Sequence, residues 1–179
     1  MLSRRKEENK MKKLVVLILA LCMLCSVAFA NELTWASVEE NASQIAGEFK
    51  TFDEISVKIW IPDTLQSVEL SDEDRENGYI GYFAADEENG VAVQYVNMNG
   101  MSLEEYAAEL KEDAEVSELE AGTVNGLPAL SYMLKEKDVA CVAFTTEMGY
   151  ILEVACGKMS AESLAAVVPF IISSIQSAK

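Results

Sequence analysis

Residues 116–134 read VSELEAGTV-NG-LPALSYML and contain the strongest hairpin signal in the chain. Two segments rich in apolar and β-branched residues are separated by Asn125-Gly126. Both turn residues tolerate the positive φ angles of a two-residue hairpin. We therefore predict antiparallel strands over Val116–Val124 and Leu127–Leu134.

The residues that follow this hairpin predict a second pair of strands and a final helix. The strands span Val139–Thr146 and Tyr150–Cys156 and are joined around Met148-Gly149. The helix begins at Ser160 and carries apolar residues at helical spacing up to Ile175. Pro169 lies inside it, so we expect the helix to be kinked or divided in two.

The residues before the hairpin predict a mixture of the same elements. Ser102 and Glu105 have the spacing of a capping box, which predicts that a helix begins there. A short amphipathic helix is predicted over residues 34–46. Alternating or continuous apolar patterns predict three more strands: Ile55–Ile61 (ended by Pro62), Tyr79–Ala84 and Val91–Met98.

Six or seven strands joined mostly by hairpins, with about three helices, indicate an α+β fold. We expect one antiparallel sheet with helices packed on its faces, an α/β/α sandwich. The mature chain is long enough for one domain with a core of its own. The predicted organisation is a leader over residues 1–30, an N-terminal helical segment over residues 31–47 and a single α/β domain over residues 48–179.

The first thirty residues have the features of a Sec signal peptide. A basic start is followed by an apolar run from Leu14 to Ala30, and Ala28-Phe29-Ala30 is a signal-peptidase pattern. We predict cleavage after Ala30 and a secreted, extracellular location, with no membrane attachment afterwards. Met11 is an alternative start, because the segment from Met11 onward would be a complete signal.

Two other interpretations of this leader are weaker. As a membrane anchor, the apolar run would be at the lower length limit for a spanning helix, and no stop-transfer charges follow it. As a lipoprotein signal, it would use Cys22 or Cys25, but each follows a leucine where a small residue is expected.

Composition excludes several classes of partner and of chemistry. Without residues 1–30 the chain has 8 basic and 28 acidic residues, a formal charge of −20. Such a chain repels nucleic acids and anionic membranes. The sequence has no histidine, which removes the commonest general base and zinc ligand. We predict no cofactor and no metal.

The sequence contains no catalytic motif: we find no nucleophile elbow, phosphate-binding loop or Cys-x-x-Cys pair. An enzyme built on carboxylates is the remaining alternative, for example a hydrolase acting on an extracellular substrate. Glu153 is the most interesting candidate, because it interrupts the otherwise apolar strand Tyr150–Cys156. The alternative role for Glu153 is a carboxylate at the rim of a sheet.

Cys141 and Cys156 are the two cysteines outside the leader. If their hairpin turns evenly about Met148-Gly149, the two residues lie opposite each other, within disulfide range. A loop with an odd number of residues would place them on opposite faces. A disulfide and two buried thiols therefore both remain possible interpretations.

Two acidic segments lack the spacing of a calcium loop. Counting from Asp72, the sixth residue is Asn77 and the twelfth is Phe83, where an EF-hand needs glycine and glutamate. The segment Asp86–Gly90 is shorter still. We interpret both as solvated loops.

Aromatic residues on neighbouring strands are the candidates for ligand binding. Aromatic side chains gathered on one face can bind a ligand or a peptide, although they more often form a second core. The candidate residues are Trp60, Tyr79, Tyr82, Tyr95 and Tyr132.

The order of elements from about Phe49 onward resembles the PsbP-like fold. The resemblance is carried by four packing and turn features, and the helix around Trp35 lies outside it. These features are Trp60-Ile61-Pro62; Ser102-Leu103-Glu104-Glu105-Tyr106; Val124-Asn125-Gly126-Leu127 leading to Tyr132; and Ile171-Ile172-Ser173-Ser174-Ile175.

This resemblance implies an α/β/α sandwich and a binding or assembly subunit rather than an enzyme. It transfers no functional residue, since none of the matching positions is a site motif. From the sequence we therefore expect a secreted, non-catalytic binding or accessory domain. Its partner would be a protein, peptide or glycan of the cell envelope.

Overall fold

The structure, a computed structural model, describes residues 32–178. The predicted leader, its cleavage after Ala30 and the choice between Met1 and Met11 lie outside the described residues. The helices of this part of the chain are α1 (Trp35–Ala42), α2 (Asp72–Glu76), α3 (Leu103–Glu112), α4 (Glu162–Ala165) and α5 (Val168–Ser173). The strands are β1 (Gly47–Phe52), β2 (Val57–Pro62), β3 (Gln66–Ser67), β4 (Tyr79–Ala84), β5 (Gly90–Asn97), β6 (Val116–Val124), β7 (Leu127–Leu134), β8 (Val139–Thr145), β9 (Ile151–Gly157) and β10 (Gln176–Ser177).

The strands form two antiparallel sheets. The larger sheet has seven strands in the order β3-β4-β5-β9-β8-β7-β6, and the smaller has three in the order β1-β2-β10. The large sheet confirms the predicted α+β class and the predicted number of strands. The small sheet is an addition, because only β2 among its strands carries a strong sequence pattern.

The hairpin of β6 and β7 has the predicted register. Val124 pairs with Leu127, and Asn125 and Gly126 have φ angles of 47° and 79°. The Asn125 side chain also connects distant parts of the chain. Its Nδ2 donates to the carbonyl oxygens of Ser173 (2.6 Å) and Ile175 (2.8 Å), and its Oδ1 accepts from the Trp35 amide (2.8 Å).

The two faces of the large sheet carry separate cores. On one face, the inter-sheet core joins the large sheet to the small sheet and to α1, α4 and α5. On the other face, the helix-side core lies beneath α3. The inter-sheet core includes Ile59, Ile61, Val91, Val93, Phe144, Val154, Cys156 and Ile171. The helix-side core is formed by Leu110, Leu130, Tyr132, Cys141, Ala143 and Ile151.

Helix α3 confirms the predicted capping box. The Ser102 hydroxyl accepts from the Glu105 amide, and the Glu105 carboxylate accepts from the Ser102 amide at 2.9 Å. Its apolar side, which includes Tyr106 and Leu110, faces the sheet. The helix packs against β6 and β7 at one end of the sheet.

Three local predictions need correction. The first helix ends at Ala42 rather than at residue 46. Ser160 does not cap the last helix: α4 begins at Glu162 after Ala161, and Pro169 divides the segment into α4 and α5, the second of the two expected outcomes. The acidic segment after Ser71 is the short helix α2, which has a capping box of its own.

Within residues 32–178, no helix combines the length and the apolar character that crossing a bilayer requires.

Candidate binding face

Trp60 lies inside the inter-sheet core. Its side chain is only 5% exposed, and its ring centroid is 5.9 Å from that of Trp35 and 6.4 Å from that of Phe170. The α1 helix and the α5 helix therefore cover the face of β2 on which Trp60 lies. The structure thus places Trp60 apart from Tyr79, Tyr82 and Tyr132, with which the sequence grouped it.

Tyr95 also faces the inter-sheet side. It packs edge-to-face against Tyr150 with 5.8 Å between ring centroids. Burial, with a smaller contribution from the charge of Glu54, raises the pKa of the Tyr95 hydroxyl. This pair lies at the end of the sheet where β5 stops.

The other three tyrosines share the opposite face of the large sheet. Cross-strand partners point to the same side of a sheet, so the pairing identifies which residues are neighbours. One row across five strands consists of Tyr82, Ala92, Ala155, Cys141 and Tyr132. The next row consists of Tyr79, Gln94, Glu153, Ala143 and Leu130.

Glu153 lies at the centre of a buried polar cluster on this face. Although only 5% exposed, its Oε1 accepts from the Gln94 side-chain amide at 2.8 Å and its Oε2 accepts from the Tyr132 hydroxyl. The Tyr132 and Tyr106 hydroxyl oxygens are 3.0 Å apart. The Tyr132 hydroxyl donates its only proton to Glu153. Tyr106 is therefore the donor in the hydrogen bond between the two hydroxyls.

The cluster contains a carboxylate but no cation. Gln94 and Tyr132 are neutral donors, and no ion pair within residues 32–178 involves Glu153. Desolvation and the charge of Glu153 raise the pKa of Tyr132. Desolvation likewise raises the pKa of Tyr106 to about 12. Both phenols therefore stay protonated and act as donors throughout the neutral range.

Of the two registers that the sequence leaves open for the cysteines, the structure has the one with an odd loop. Thr145 pairs with Ile151, so the loop has an odd number of residues, Cys141 faces Ala155 and Cys156 faces Ala140. The two thiols lie on opposite sides of the sheet, and both are free and buried. Burial raises the pKa of Cys141, and it raises that of Cys156 to about 12. Neither thiol is an activated nucleophile.

Helix α3 covers only part of this face. On this face Leu130, Tyr132, Cys141 and Ala143 of β7 and β8 are buried, whereas the side chains on β4 and β5 and Ala155 on β9 are partly exposed. Glu153 lies at this boundary. We call the uncovered part the open half; its residues are Tyr79, Tyr82, Ala92, Gln94 and Ala155.

The Tyr82 ring lies next to Gly90 on the open half. A Cβ atom added at Gly90 would be 3.0 Å from a ring carbon of Tyr82 and 3.1 Å from its hydroxyl oxygen. Glycine therefore allows the ring to lie against the backbone of β5. The neighbouring side chains at positions 92 and 155 are single methyl groups, so the surface beside the ring is shallow.

The acidic segments do not form a metal site in the described part of the chain. No group of three or more Cys, Asp or Glu residues there has the geometry to hold a metal ion. Asp74 accepts from the Ser71 amide and hydroxyl, and Asp86 accepts from Asn89 and the Glu88 amide. These hydrogen bonds lower the pKa of both carboxyl groups. The two acids thus stabilise local turns of the backbone.

Sequence reasoning identified Glu153 and Tyr132 separately but missed Gln94 and Tyr106. Gln94 interrupts the apolar run Val91–Val96 as Glu153 interrupts its own strand. Two polar interruptions in neighbouring strands are a usable signal for a buried polar pair. Tyr106 gives no such signal, because a tyrosine on the apolar side of a helix looks like any core residue.

The elements described above define a class of fold: a seven-stranded antiparallel sheet with one helix on one face and a small sheet with helices on the other. Among solved structures, the chain is similar to the solution structure of cyanobacterial PsbP (CyanoP) from Synechocystis sp. PCC 6803. The TM-score is 0.52 at 12% sequence identity, over 74% of this chain and 93% of that chain. The chain therefore has a PsbP-like fold, as its sequence resemblance implied. No protein-family profile and no curated protein sequence matches it.

Proposed function

We propose that this protein is a secreted, non-catalytic binding or accessory domain. The observation that carries the proposal is the open half: one face of the large sheet is covered by α3 over only part of its width. Partly exposed tyrosine and alanine side chains remain beside a buried polar cluster in which Glu153 accepts one hydrogen bond at each carboxylate oxygen. Aromatic and small apolar side chains on an uncovered sheet face suit the docking of a partner.

Export is supported by the leader-like residues 1–30. The overall charge bears on the class of partner. The strongly acidic remainder of the chain is repelled by nucleic acids and by anionic lipids. A protein, peptide or glycan of the cell envelope is the class of partner that remains. The PsbP-like fold is compatible with an accessory role, although a fold alone does not determine function.

A carboxylate-based hydrolase acting on an extracellular substrate is the alternative. Hydrolysis of a glycosidic bond uses two carboxyl groups on either side of the bond. Glu153 is a buried carboxylate in an apolar setting, which favours this alternative, but its oxygens accept hydrogen bonds from an amide and a phenol rather than facing a second acid. Binding is therefore the function that the geometry supports better.

Amide chemical-shift mapping tests the proposal. The protein, recovered after export of the full chain and labelled with ¹⁵N, is titrated with a panel of envelope peptides and glycans. We expect shifts to cluster at Tyr82, Ala92 and Ala155. Ala92→Arg should abolish them by filling the shallow surface, whereas Ala108→Arg on the exposed side of α3 should leave them unchanged.

Two results would contradict the proposal. Shifts that cluster away from the open half, and that persist in Ala92→Arg, would place binding elsewhere. Hydrolysis of any panel member by the wild type but not by Glu153→Gln would favour the enzyme.

A further inference from the structure

The chemistry of the partner follows from the charge around the open half. We propose that the open half binds an extended lysine- or arginine-bearing segment of a partner protein, with the cation directed at the Glu153 carboxylate. This inference rests on the proposed binding function and specifies its ligand.

The first argument is the unpaired charge of the polar cluster. A buried carboxylate is stabilised most by a cation, yet both hydrogen-bond donors to Glu153 are neutral. Each carboxylate oxygen can accept a second hydrogen bond. Gln94 is half-exposed at the margin of the open half, so its amide is the donor that an arriving cation would join or displace.

The second argument is a neighbouring acid on the helix. Glu109 follows Tyr106 by three residues, which places both on the same side of α3. It lies near enough for its charge to contribute to the raised pKa of the Tyr106 phenol. The edge of the helix that borders the cluster is therefore also acidic. Lys111, the one basic residue of α3, points to the other side of the helix by the same geometry.

The third argument is the shape of the surface. The methyl side chains of Ala92 and Ala155 let an extended backbone approach the sheet closely. The Tyr82 ring, which lies next to Gly90, offers a surface for the aliphatic part of a lysine or for a guanidinium group.

Charge also argues against the other occupants. A second copy of this chain would carry the same excess of acidic residues, and the two would repel each other. Nucleic acids and anionic lipids are repelled for the same reason. A basic protein segment has the complementary charge.

Fluorescence anisotropy with defined peptides tests this inference. The probe is a fluorescein-labelled octapeptide of alternating lysine and threonine, in ~150 mM salt to screen long-range attraction. The two comparison peptides replace each lysine by glutamate or by acetyl-lysine. We expect binding of the lysine peptide alone, with amide shifts at Ala92, Gln94 and Ala155.

Three substitutions locate the interaction. Glu153→Gln should weaken binding about tenfold or more, since it removes the charge that the cation reaches. Glu109→Gln should weaken it roughly two- to fourfold, because that charge is exposed and screened. Glu39→Gln, at an exposed position on α1, is the matched control and should change the affinity by less than about twofold. If Glu153→Gln does not fold, the test uses Glu109→Gln and Ala92→Arg instead, and both should weaken binding of the lysine peptide.

The outcomes separate this inference from the proposed function. Equal losses in the Glu39 and Glu153 variants, or equal binding of the acetyl-lysine peptide, would overturn the inference. If another envelope ligand shifts the open half while the lysine peptide does not, the ligand class is wrong but the binding function stands. If nothing shifts the open half, both fail.

Discussion

The inter-sheet core and the helix-side core lie on opposite faces of one sheet but satisfy their polar groups differently. In the inter-sheet core, the buried hydroxyls of Ser173 and Ser174 donate to main-chain carbonyls, and Ser174 also accepts from the Trp60 amide at 2.7 Å. In the helix-side core, the carboxylate of Glu153 is held by other side chains. The first arrangement satisfies the hydrogen-bonding groups of the main chain, which every fold requires. The second arrangement is not needed for that purpose, which is why we place the candidate site there.

Removing a large side chain from the inter-sheet core should have the largest effect on stability. Phe144 is 1% exposed and lies on the interior strand β8. We expect Phe144→Ala to lower the free energy of unfolding by about 4 kcal/mol, since it leaves a cavity in a closed apolar core. Urea unfolding followed by circular dichroism measures this change.

Phe49→Ala is the control for that measurement. Phe49 is 36% exposed on the edge strand β1, so its loss should cost about 1 kcal/mol or less. Equal costs for the two variants would mean that the inter-sheet core is not the main source of stability.

Removing one hydroxyl from the helix-side core should have an intermediate effect. Tyr132→Phe deletes the donor to Glu153 and leaves the carboxylate and Tyr106 without a shared partner. We expect a loss of about 2 kcal/mol in the free energy of unfolding. Tyr82→Phe on the open half is the matched control and should change it by about 0.5 kcal/mol or less.

A double-mutant cycle sharpens this comparison. Combining Tyr132→Phe with Glu153→Leu removes the donor and the acceptor together, which costs less than leaving one of them unpaired. We therefore expect the double variant to lose less than the sum of the single losses. Strict additivity would show that the cluster does not act as a unit.

The smallest effect concerns the two capping boxes. Ser102→Ala should destabilise the protein by about 1 kcal/mol, because α3 covers the helix-side core. Ser71→Ala removes the same motif from α2, which buries no residue, so its loss should be smaller. Equal effects would mean that capping acts independently of the core beneath.

The capping box of α3 also predicts a pH dependence. Hydrogen bonds from the Ser102 backbone and side chain lower the pKa of Glu105 in the folded state. Its stabilising contribution is therefore present above the ordinary glutamate pKa and is lost as the pH falls through the lowered value. Glu105→Gln removes the titrating carboxyl group and should flatten this acidic part of the stability profile, whereas Ser102→Ala keeps the backbone donor and should flatten it only partly. An unchanged profile would assign the acid sensitivity to other carboxyl groups.

Most strands of the large sheet could be predicted because each has an alternating or continuous apolar pattern in its own sequence. The hairpin at Asn125-Gly126 has a local turn signal, and β6 and β7 have the predicted bounds. The strands β1, β3 and β10 were missed, because they are short or polar and are defined by pairing with distant residues. Local periodicity cannot report such pairing.

The candidate site was predictable only in pieces. An apolar strand interrupted by glutamate identifies a residue but not its partners, which come from β5, β7 and α3. The register of Cys141 and Cys156 was left open for a related reason: adding one residue to a hairpin loop moves every side chain of one strand to the other face. The parity of that loop depends on whether Glu147 joins Met148 and Gly149 in the turn, a choice that the sequence leaves open.

The hydrogen bonds of Asn125 impose an order of events on the newly made chain. This side chain bonds to Trp35 near the beginning of the described chain and to the carbonyls of Ser173 and Ile175 near its end. The hairpin that carries it is local, but its side chain has no complete set of partners until residue 175 has been synthesised. The inter-sheet side of a growing chain therefore cannot close fully before residue 175 has been made. Such late closure is compatible with the export that we propose, since a secreted chain crosses its channel unfolded.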